Sequence, residues 1–483
     1  MPEKCLLIGK DARTHAIGKT LKKNTDIKIY SYAEIISPGL KRISEKTRES
    51  RLDKPKLIEK FVKECGRLDF AVIGPDEGIQ LGIPDLMEKL EVPAVGPIKK
   101  LGILETSKIF TRNFLDRHCP EVNPDFKIFT KAEGIVDFLN EINDYVIKPD
   151  GLTAGKGVKV FGDHIFNTKD ALEYCKKLLE KDKVVLIEEK LIGEEFSLQS
   201  FVDGRTVVDT VVVQDNKRAY DDDKGPNTGG MGSYSCENHL LPFLKKEDIN
   251  FAHDINQKVC NALKRKDEVG EEYKGIMYGS FIKTASGVKV IEYNARFADP
   301  EALNVLPILK SNLTDIFHRI IEGNLSTKHV EFERKATVCK YVVPEGYPEV
   351  KKERQKVELP DTDPEGVERY YAAVKQENDD YYFLKSRGIA FVGIGDDLYE
   401  AEAKAERAAE SIKGPVFHRK DIGTRNYIRR KIDRMEKILS TNSSSSCSPN
   451  NNSRSSYYAK SIPIKCLHPV ENTKLEKTVQ RFS

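Results

Sequence analysis

The sequence predicts a multidomain protein of combined α/β and α+β architecture, and three observations support that prediction. The chain has 483 residues, more than a single hydrophobic core usually serves. Its N-terminal part alternates short apolar runs with helical patterns, as parallel sheets with crossover helices do. Its later regions combine β-branched runs, glycine-bearing segments and an amphipathic helix. We therefore expect two or three cores that are packed around a shared cleft.

The N-terminal region, residues 1–102, is predicted to form a small Rossmann-like domain. Apolar runs of strand length begin at Leu6, Ile27 and Phe70. Between them lies one amphipathic helical face, which consists of Leu57, Ile58, Phe61, Val62 and Cys65. This alternation favours a parallel sheet that is covered by helices.

Changes of pattern divide the rest of the chain into three further parts. Residues 103–328 carry two glycine-bearing segments, and residues 329–425 carry strand-like runs before one helix. Residues 426–483 are expected to contain a helical extension and then a tail that is rich in Ser and Asn from Ser440 onward. Such a tail cannot bury enough surface to offset the entropy of ordering, so we expect it to be disordered and noncatalytic. Its removal after about Met435 should leave activity unchanged.

Composition argues against several classes of function. Lys and Arg total 79 and Asp and Glu total 76, so the net charge of +3 creates no broad field for nucleic acid or anionic lipid. No apolar run approaches the roughly 20 residues of a membrane span, and the start lacks a signal-peptide pattern. Nine cysteines without a CxxC pair argue against a disulfide framework and a zinc site. We expect a cytoplasmic protein with reduced thiols and with neither nucleic acid nor a membrane as a partner.

The segment YVIKPDGLTAGKGVKV has the composition of a phosphate-binding loop. An apolar strand precedes Lys148, and Gly151, Gly155, Lys156 and Gly157 follow in the loop. Glycines let backbone N–H groups approach phosphate oxygens, while lysines neutralise the charge of a transferring phosphoryl group. The segment matches neither the Walker A pattern nor GxGxxG. Alone, it is equally compatible with a flexible hairpin loop.

Two acidic pairs flank a turn in the run VVLIEEKLIGEEFSL. Glu188 and Glu189 end an apolar strand, and Glu194 and Glu195 follow Gly193. A strand edge can recognise adenine through backbone groups, and a carboxylate can receive ribose hydroxyls. The alternative is a solvated acidic turn, which the segment alone would favour because exposed Glu is common.

The stretch VKVIEYNARFADPE carries the predicted metal site. Alternate residues of a strand share a face, so Glu292 and Asn294 point together, as two oxygen ligands of a hard divalent cation should. Arg296 and Asp299 follow the strand, where a guanidinium could hold a phosphate or a carboxylate in a forked geometry. The alternative is an ordinary edge strand with surface ion pairs.

The hairpin before this strand sets the residue that lies opposite Glu292. A three-residue loop, Ala-Ser-Gly, would pair Thr284 with Val288 and would place Ser280 opposite Glu292. A hydroxyl is a poor substitute for a second carboxylate. We therefore expect Ser280 to be at most a weak or water-mediated metal ligand.

The segment QDNKRAYDDDKGPNTGGMGSYS combines charged residues with a glycine-rich loop. Asp215, Lys217 and Arg218 precede the loop, and Asn227 and Thr228 lie within it. Such a loop can surround a compact anionic intermediate with backbone N–H groups, although a flexible connection has a similar composition. The charges suit a zwitterionic substrate whose ammonium group is received by a carboxylate.

In this order, seven motifs resemble those of the phosphoribosylamine-glycine ligase family, the glycinamide ribonucleotide synthetases of the ATP-grasp superfamily. The resemblance covers nearly everything from Leu6 to Gly423, and the motifs are DFAVIGPDEGIQLGIPD, LETSKIFTRNF, VIKPDGLTAGKGV, VLIEEKLIGEE, QDNKRAYDDDKGPNTGGMGSYS, VIEYNARFADPE and FHRKDIG. The resemblance implies a central ATP-grasp domain at 103–328 and a small α+β domain at 329–425.

The resemblance also implies a reaction. ATP, with Mg²⁺ or Mn²⁺, would phosphorylate the carboxylate of glycine, and the amine of 5-phosphoribosylamine would then displace the phosphate. The implied partners are these two small molecules. The oligomeric state stays open, and a monomer is compatible with the sequence.

Individual roles follow from the resemblance, position by position. Lys148, Arg296 and Asp215 would be catalytic. The ATP-binding residues would be Lys108, Lys148, Lys156, Glu188, Glu189, Leu191 and Glu195. The substrate-binding residues would be Gly9, Arg13, His15, Asp215, Pro226, Asn227, Thr228, Arg296 and Asp299. The metal ligands would be Glu292 and Asn294, with Ser280 as a weaker candidate.

The first loop departs from the family pattern. Family members read GxGGREHA where this chain reads GKDARTHA from Gly9, so Arg13 and His15 are kept while Asp11 introduces a negative charge. In the family this loop receives the phosphate of phosphoribosylamine, and a carboxylate within about 5 Å would weaken that binding by roughly 1 to 2 kcal/mol. Two alternatives stay open: an ATP-grasp ligase with a different amine, and a degenerate nucleotide-binding protein. Retention of the nucleotide and metal residues argues against the second.

Overall fold

The N-terminal region contains a parallel sheet covered by helices, as its alternating pattern predicts. The structure is a computed structural model that describes residues 2–23, 25–152 and 157–445, without the side chains of 442–445. The strands are β1 (Lys4–Ile8), β2 (Lys28–Ala33), β3 (Ser44–Glu49), β4 (Phe70–Ile73) and β5 (Ala94–Val95). The helices are α1 (Ala12–Lys22), α2 (Pro38–Ile43), α3 (Pro55–Cys65), α4 (Asp76–Gln80) and α5 (Ile83–Lys89). All strand pairs are parallel, in the order β3-β2-β1-β4-β5.

The next part of the chain contains a four-stranded antiparallel sheet. Its elements are α6 (Ile103–Thr106), α7 (Lys108–His118), a 3-10 helix (Pro120–Val122), β6 (Phe126–Phe129), α8 (Ile135–Ile142), β7 (Tyr145–Lys148), β8 (Lys159–Val160), α9 (Thr168–Asp182) and β9 (Val185–Glu189). The strand order is β6-β9-β7-β8. Helices α8 and α9 cover this sheet and enclose a small separate core that includes Leu139, Ile147 and Cys175.

A second antiparallel sheet carries the predicted metal strand. Its elements and the loop strands between them are β10 (Gly193–Asp203), β11 (Val207–Asp209), β12 (Gln214–Asp215), β13 (Arg218–Tyr220), a 3-10 helix (Asp221–Asp223), β14 (Lys224–Asn227), β15 (Gly232–Ser235), α10 (Lys246–Leu263), β16 (Lys274–Thr284) and β17 (Gly287–Asn294). The order within this sheet is β11-β10-β16-β17. Strands β13 and β14 form a separate hairpin.

The C-terminal region combines a larger sheet with short flanking elements. They are α11 (Glu301–Val305), α12 (Leu313–Glu322), a 3-10 helix (Thr327–His329), β18 (Ala336–Pro344), β19 (Gln355–Val357), β20 (Val367–Tyr371), β21 (Val374–Glu377), β22 (Asp380–Phe383), β23 (Ile389–Gly395), α13 (Leu398–Glu410), β24 (Val416–Phe417) and α14 (Arg425–Ser445). The main sheet has the order β12-β15-β18-β23-β20, with β24 beside β18. Strands β12 and β15 therefore join a sheet whose other strands lie after residue 328.

Composition led us to expect no membrane span and reduced cysteines, and the described residues can be compared with both expectations. No helix within 2–23, 25–152 or 157–445 is both long and apolar enough to cross a membrane. The seven cysteines in those ranges are buried and form no disulfide bond, as expected for reduced thiols.

Helix α14 corrects the expectation of disorder from Ser440. The helix continues to Ser445, Met435 is buried, and Ile438 packs against the main core. Once such packing has nucleated a helix, each further residue adds one hydrogen bond for few fixed dihedrals, so poor helix formers can continue it. A cut after Met435 would remove the Ile438 contact and is no longer expected to be silent. Residues 446–483 lie outside the described residues.

His15 connects the N-terminal region to the C-terminal sheet. It lies on α1, is 4% exposed, and its Nδ1 atom accepts the backbone N–H of Tyr371 on β20 at 3.1 Å. Burial lowers the pKa of His15 to about 3, and the charges of Lys19 and Arg42 act in the same direction. The imidazole is therefore neutral, and its acceptor nitrogen is committed to the backbone.

We expect His15 to make the folded state sensitive to acid. The unfolded chain binds a proton at His15 near pH 6.5, whereas the folded chain does so only near pH 3. The stabilisation is therefore complete above pH 6.5 and is lost as the pH falls toward 3, by about 1.4 kcal/mol per pH unit. Urea unfolding gives the free energy of unfolding at pH 7 and at pH 5. Between these two pH values the wild type should lose about 2 kcal/mol more of this free energy than His15→Gln does.

His253→Gln provides a control, because His253 should change the pH dependence of stability in the direction opposite to that of His15. A hydrogen bond to Asp209 raises the pKa of His253, so this histidine contributes stability below its ordinary pKa and loses it as the pH rises through the raised value. If His15→Gln kept the pH dependence of the wild type, His15 would not be buried as a neutral imidazole.

Candidate active site

A buried guanidinium, that of Arg112 on α7, joins three segments of the candidate site. Its side chain is 3% exposed, and Nε and Nη2 donate to the two carboxylate oxygens of Glu188 on β9 at 2.7 and 3.0 Å. Nη1 donates to Asn123 Oδ1 at 3.2 Å and to the carbonyl of Val290 at 3.0 Å, and Nη2 also donates to the carbonyl of Ile291 at 2.7 Å. All the N–H groups of the guanidinium are used, which a lysine could not reproduce.

Lys148 completes this charge cluster at the end of β7. Its Nζ atom lies 2.6 Å from Oε2 of Glu188, so this carboxylate binds two cations at once. Burial would raise the pKa of Glu188, but the charges of Arg112 and Lys148 lower it to about 2. Burial lowers the pKa of Lys148, and Glu188 opposes that change. Two cations share one carboxylate, which leaves positive charge for a phosphate group.

A β-bulge on β17 sets the register at the predicted metal site. The hairpin loop has two residues rather than the predicted three, because Thr284 pairs with Gly287. That register alone would place Ile291 opposite Ser280. One extra residue is inserted before Glu292, however, so Ser280 lies opposite Glu292 as expected. The buried guanidinium binds the carbonyl of the inserted residue, which stabilises the bulge.

Glu292 and Asn294 follow the bulge on β17 and are two residues apart, so their side chains share a face. Burial would raise the pKa of Glu292, but the ammonium groups of Lys217, Lys148 and Lys108 lower it. The described residues contain no group of three or more His, Cys, Asp or Glu side chains that could hold a metal. The pair nevertheless fits a magnesium-type cation, because such an ion commonly takes one or two protein oxygens together with substrate phosphates.

Arg296 is held beside Glu292 and Asn294 by Glu105, which the sequence analysis does not identify as a site residue. Its Nη2 atom donates to Asn294 Oδ1 at 3.2 Å and lies 2.9 Å from Glu105 Oε1. The other oxygen of Glu105 accepts the backbone N–H of Ala295 at 2.7 Å. Burial raises the pKa of Glu105, and Arg296 opposes the change. The motif LETSK contains Glu105, but no local pattern indicates partners 190 positions later.

The residues predicted to bind adenine and ribose lie around the connection from β9 to β10. Glu189 ends β9, and its Oε2 atom accepts the backbone N–H of Asp125 at 3.2 Å. Leu191 lies in the short connection to β10. Glu195 lies on β10, its side chain is about half exposed, and its Oε2 atom lies 3.2 Å from Nζ of Lys217. The Glu195 carboxylate raises the pKa of Lys217.

Lys108 contacts the segment that leads into the predicted phosphate loop. Its Nζ atom donates to the carbonyl of Gly151 at 2.6 Å. The carboxylate of Asp150 accepts the backbone N–H of Ile109 at 3.2 Å, which ties the same segment to the N-terminus of α7. Lys156, at the centre of that loop, lies outside the described residues.

Two carboxylates lie together at the predicted substrate position. Burial and the charge of Glu301 both raise the pKa of Asp215, and burial also raises the pKa of Glu301. Tyr278 donates to Oε1 of Glu301 at 2.8 Å. A cation beside these groups would favour their ionised forms. The arrangement therefore suits an ammonium group.

The glycine-rich loop is anchored by an arginine that the sequence motifs do not include. Pro226 and Asn227 lie on β14, whose residues are exposed. Thr228 follows, and its backbone N–H and its hydroxyl donate to the carbonyl of Lys217 at 2.7 and 2.8 Å. Arg387 donates through Nη1 to the carbonyl of the next glycine at 2.6 Å. The loop is thereby fixed by Lys217 at Thr228 and by Arg387 at the next glycine.

Two carboxylates of the chain itself occupy the N-terminus of α1, just after Gly9. Asp11 accepts the backbone N–H of Thr14 at 2.9 Å, and its other oxygen accepts from Nε and Nη2 of Arg13 at 2.9 and 2.5 Å. Asp299 accepts the backbone N–H of Arg13 at 3.2 Å. Burial would raise the pKa of Asp11, but Arg13 lowers it to about 2. The negative charge introduced at Asp11 is therefore neutralised by Arg13, so the guanidinium that the resemblance assigns to the phosphate is bound to a carboxylate of the chain itself.

Several of the predicted residues lie within electrostatic range of one another, whereas His15 lies apart from them. Lys148, Lys108 and Arg296 all act on the Glu292 carboxylate. His15, in contrast, projects from α1 onto β20, where its Nδ1 atom accepts the backbone N–H of Tyr371. Its predicted part in substrate binding stays untested, and its observed contacts are structural.

Sequence models of three domains match the chain in order. Residues 3–105 match the N domain of phosphoribosylglycinamide synthetase, residues 106–302 match its ATP-grasp (A) domain, and residues 337–425 match its C domain. Phosphoribosylamine–glycine ligases of Methanococcus maripaludis and Methanosarcina barkeri are 43% and 42% identical to this chain. Both matches cover 90% of this chain and 99% of the relative.

Solved structures share the fold. A phosphoribosylamine–glycine ligase of Thermotoga maritima matches 86% of this chain and 99% of its own, with a TM-score of 0.73 and 24% identity. The biotin carboxylase domain of Hydrogenobacter thermophilus 2-oxoglutarate carboxylase matches 90% and 94%, with a TM-score of 0.66 and 15% identity. At these identities the likeness to solved structures establishes the fold alone.

Fold and sequence together make this protein an ATP-dependent ligase of the ATP-grasp class. Identities of 42 to 43% over nine-tenths of the chain further show that it belongs to the phosphoribosylglycinamide synthetase family. The predicted fold class, family and ligase activity are confirmed. The domain boundaries and the roles of individual residues stay predictions.

We expect Arg112→Lys to impair the use of ATP. The ammonium keeps the charge but cannot reach Glu188 and the β17 carbonyls together, so Lys148 and β17 lose their fixed positions. Steady-state kinetics should show at least a tenfold fall in kcat/KM for ATP, which corresponds to about 1.4 kcal/mol. Arg117→Lys, on the same helix and paired with Glu268, is the matched control and should have little effect. Parental kinetics in Arg112→Lys would show that the hydrogen bonds of the Arg112 guanidinium do not organise the site.

Proposed function

We propose that the chain joins glycine to 5-phosphoribosylamine and forms glycinamide ribonucleotide, ADP and phosphate in purine biosynthesis. Its relatives at 42 to 43% identity are named for this ligation. The observation that carries the proposal within this chain is the set of cations around Glu292, namely Lys108, Lys148, Lys217 and Arg296. Such a set suits a triphosphate that lies beside one cation-binding carboxylate.

The first proposed step activates the glycine carboxylate, which is a poor acyl donor at neutral pH. One carboxylate oxygen attacks the γ-phosphorus of ATP, the bond from that phosphorus to the β,γ-bridging oxygen breaks, and ADP leaves. Lys148 neutralises the transferring phosphoryl group, and Arg296 orients the carboxylate through its guanidinium. Glu292 and Asn294 would hold Mg²⁺ or Mn²⁺, which neutralises charge on the ATP phosphates.

The second proposed step is capture of glycyl phosphate by the amine. The amine nitrogen attacks the carbonyl carbon, the bond from that carbon to the phosphate oxygen breaks, and the nitrogen releases a proton. A strong general base is unnecessary because the amine is itself nucleophilic and positioning supplies most of the rate. Asp215, with Glu301 beside it, would receive the ammonium group of glycine. The loop that Arg387 anchors would exclude water from the mixed anhydride.

In the proposed complex with ATP, Glu195 binds the ribose and the connection after Glu189 binds adenine. The predicted contact of Glu188 with adenine is limited to its backbone, because Arg112 and Lys148 already bind its carboxylate. The cytoplasmic location stays a prediction, and the oligomeric state stays open.

A ligase with a different amine is the second candidate, and one observation favours it. Asp11 and Asp299 already accept the N–H groups at the N-terminus of α1, and Arg13 is bound to Asp11. A phosphate that docks there would have to displace a carboxylate. The retained cluster of Lys148 and Glu292 disfavours a degenerate nucleotide-binding protein.

An assay of ADP and phosphate release separates these candidates. With ATP and Mg²⁺, the protein should release both products rapidly when glycine and phosphoribosylamine are present, and slowly with glycine alone. Equal turnover with a ribosylamine that lacks the phosphate would favour the different amine. Absence of any glycine-dependent ADP would reject the proposed ligation.

Glu292→Gln and Asn294→Ala should each abolish glycine-dependent ADP formation without unfolding the protein. Glu292→Gln removes the negative charge and one carboxylate oxygen, and Asn294→Ala removes the amide oxygen, from the face that would hold the cation of ATP. Any residual activity should require a higher Mg²⁺ concentration in a metal titration. Glu121→Gln, which alters an exposed carboxylate paired with Lys258, is the control. A parental rate in either site variant would refute the metal assignment.

Asp11→Asn tests the altered first loop. Asparagine keeps an oxygen that caps α1 but loses the charge that holds Arg13, so Nε and Nη2 of the guanidinium become available to a phosphate while Nη1 stays bound to the carbonyl of Phe297. The KM for phosphoribosylamine should fall roughly tenfold, about 1.4 kcal/mol, while the KM values for ATP and glycine stay unchanged. Asp11→Gly should act in the same direction, and Arg13→Ala should raise this KM. If all three variants keep the parental KM, the loop does not hold the phosphate.

A further inference from the structure

Helix α14 extends beyond the last matched domain and presents one polar face to the protein. The C-domain match ends at residue 425, and the helix runs from Arg425 to Ser445. Tyr427, Arg430, Lys431 and Arg434 are separated by helical spacings of three and four residues, so they share this face.

The cations of this face bind carboxylates of the central region. Nζ of Lys431 lies 2.8 Å from Asp223 and 3.4 Å from Glu194. Nη1 of Arg434 lies 3.1 Å from the other oxygen of Glu194. The Glu194 side chain is 2% exposed, and Gln214 also donates to it, at 3.2 Å. A carboxylate buried to this degree depends on its partners, because removal of its cations leaves an uncompensated charge.

The carboxylate that α14 binds is adjacent to the proposed ribose ligand. Consecutive strand residues point to opposite faces, so Glu194 faces α14 while Glu195 faces Lys217 at 3.2 Å. Tyr427 of the helix donates to Asn216, the residue directly before Lys217. The helix therefore holds, from the opposite side, both segments that carry the Glu195 and Lys217 pair.

We propose that α14 is a positioning element of the nucleotide site. Lys431 and Arg434 neutralise Glu194, so that β10 keeps Glu195 oriented toward the ribose. The inference rests on the proposed function, which assigns that ribose contact. Ribose contacts are equal in the bound substrate and the transition state, so their loss raises the KM for ATP and leaves kcat nearly unchanged.

The double variant Lys431→Ala with Arg434→Ala tests this role in the full-length protein. It leaves Glu194 buried without a cation, and it should raise both the KM for ATP and the dissociation constant of ADP about tenfold. Addition of Glu194→Gln removes the uncompensated charge and should restore most of the affinity. Arg429→Ala is the matched control, because Arg429 lies on the exposed face and pairs with Asp433 of the same helix.

Calorimetry with ADP and kinetics with ATP distinguish the outcomes. Unchanged ADP affinity in the double variant, or failure of Glu194→Gln to restore it, would overturn the inference. If the double variant does not fold, the single variants Lys431→Ala and Arg434→Ala carry the same test with smaller shifts. ADP binding needs neither glycine nor the amine. A wild type that binds ADP without glycine-dependent turnover would therefore reject the proposed ligation and leave the role of α14 intact.

Discussion

The arrangement of the site depends on one buried interaction, the fork between Arg112 and Glu188. Two buried charges are costly to remove from water, and such a pair is by itself weak evidence for stability. Its importance here is geometric, because one planar guanidinium fixes the end of β9 and two carbonyls of β17. The same carboxylate then binds Lys148. The phosphate-binding cation and the metal-binding strand are thereby held in a fixed relation.

The bulge on β17 is stabilised by the Arg112 guanidinium and determines which side chain lies opposite Ser280. The sequence predicts the pairing of Ser280 with Glu292, but it does so through a three-residue loop that the structure does not have. Alternation along a strand shows which residues share a face, whereas it carries no signal for one inserted residue. The shorter loop and the bulge offset each other, so the pairing of Ser280 with Glu292 is predicted correctly. The shared face of Glu292 and Asn294 needs only their spacing of two residues on β17.

Local patterns predict much of the fold and the site, while long-range partners leave no local signal. The alternation of apolar runs with helical patterns is sufficient to predict the parallel N-terminal sheet. Arg112, in contrast, has the appearance of an ordinary polar position on an amphipathic helix, and its partners lie 76 and 178 positions away. The pairing of Asp11 with Arg13 is missing from the sequence analysis for the same reason, because local sequence does not show that Arg13 folds back onto this carboxylate. Composition also underestimates the length of α14, because packing as far as Ile438 nucleates the helix and backbone hydrogen bonds then continue it through poor helix formers.

In the proposed mechanism, this site transfers the γ-phosphoryl group of ATP to the carboxylate of glycine. Glycine labelled with ¹⁸O in both carboxylate oxygens measures that transfer, because one oxygen leaves with the phosphate when the amine attacks. With ATP and phosphoribosylamine, we expect one ¹⁸O atom in each phosphate released and one ¹⁸O atom in the amide product. Phosphate without ¹⁸O would mean that ATP is cleaved independently of the glycine carboxylate, and it would contradict the proposed mechanism.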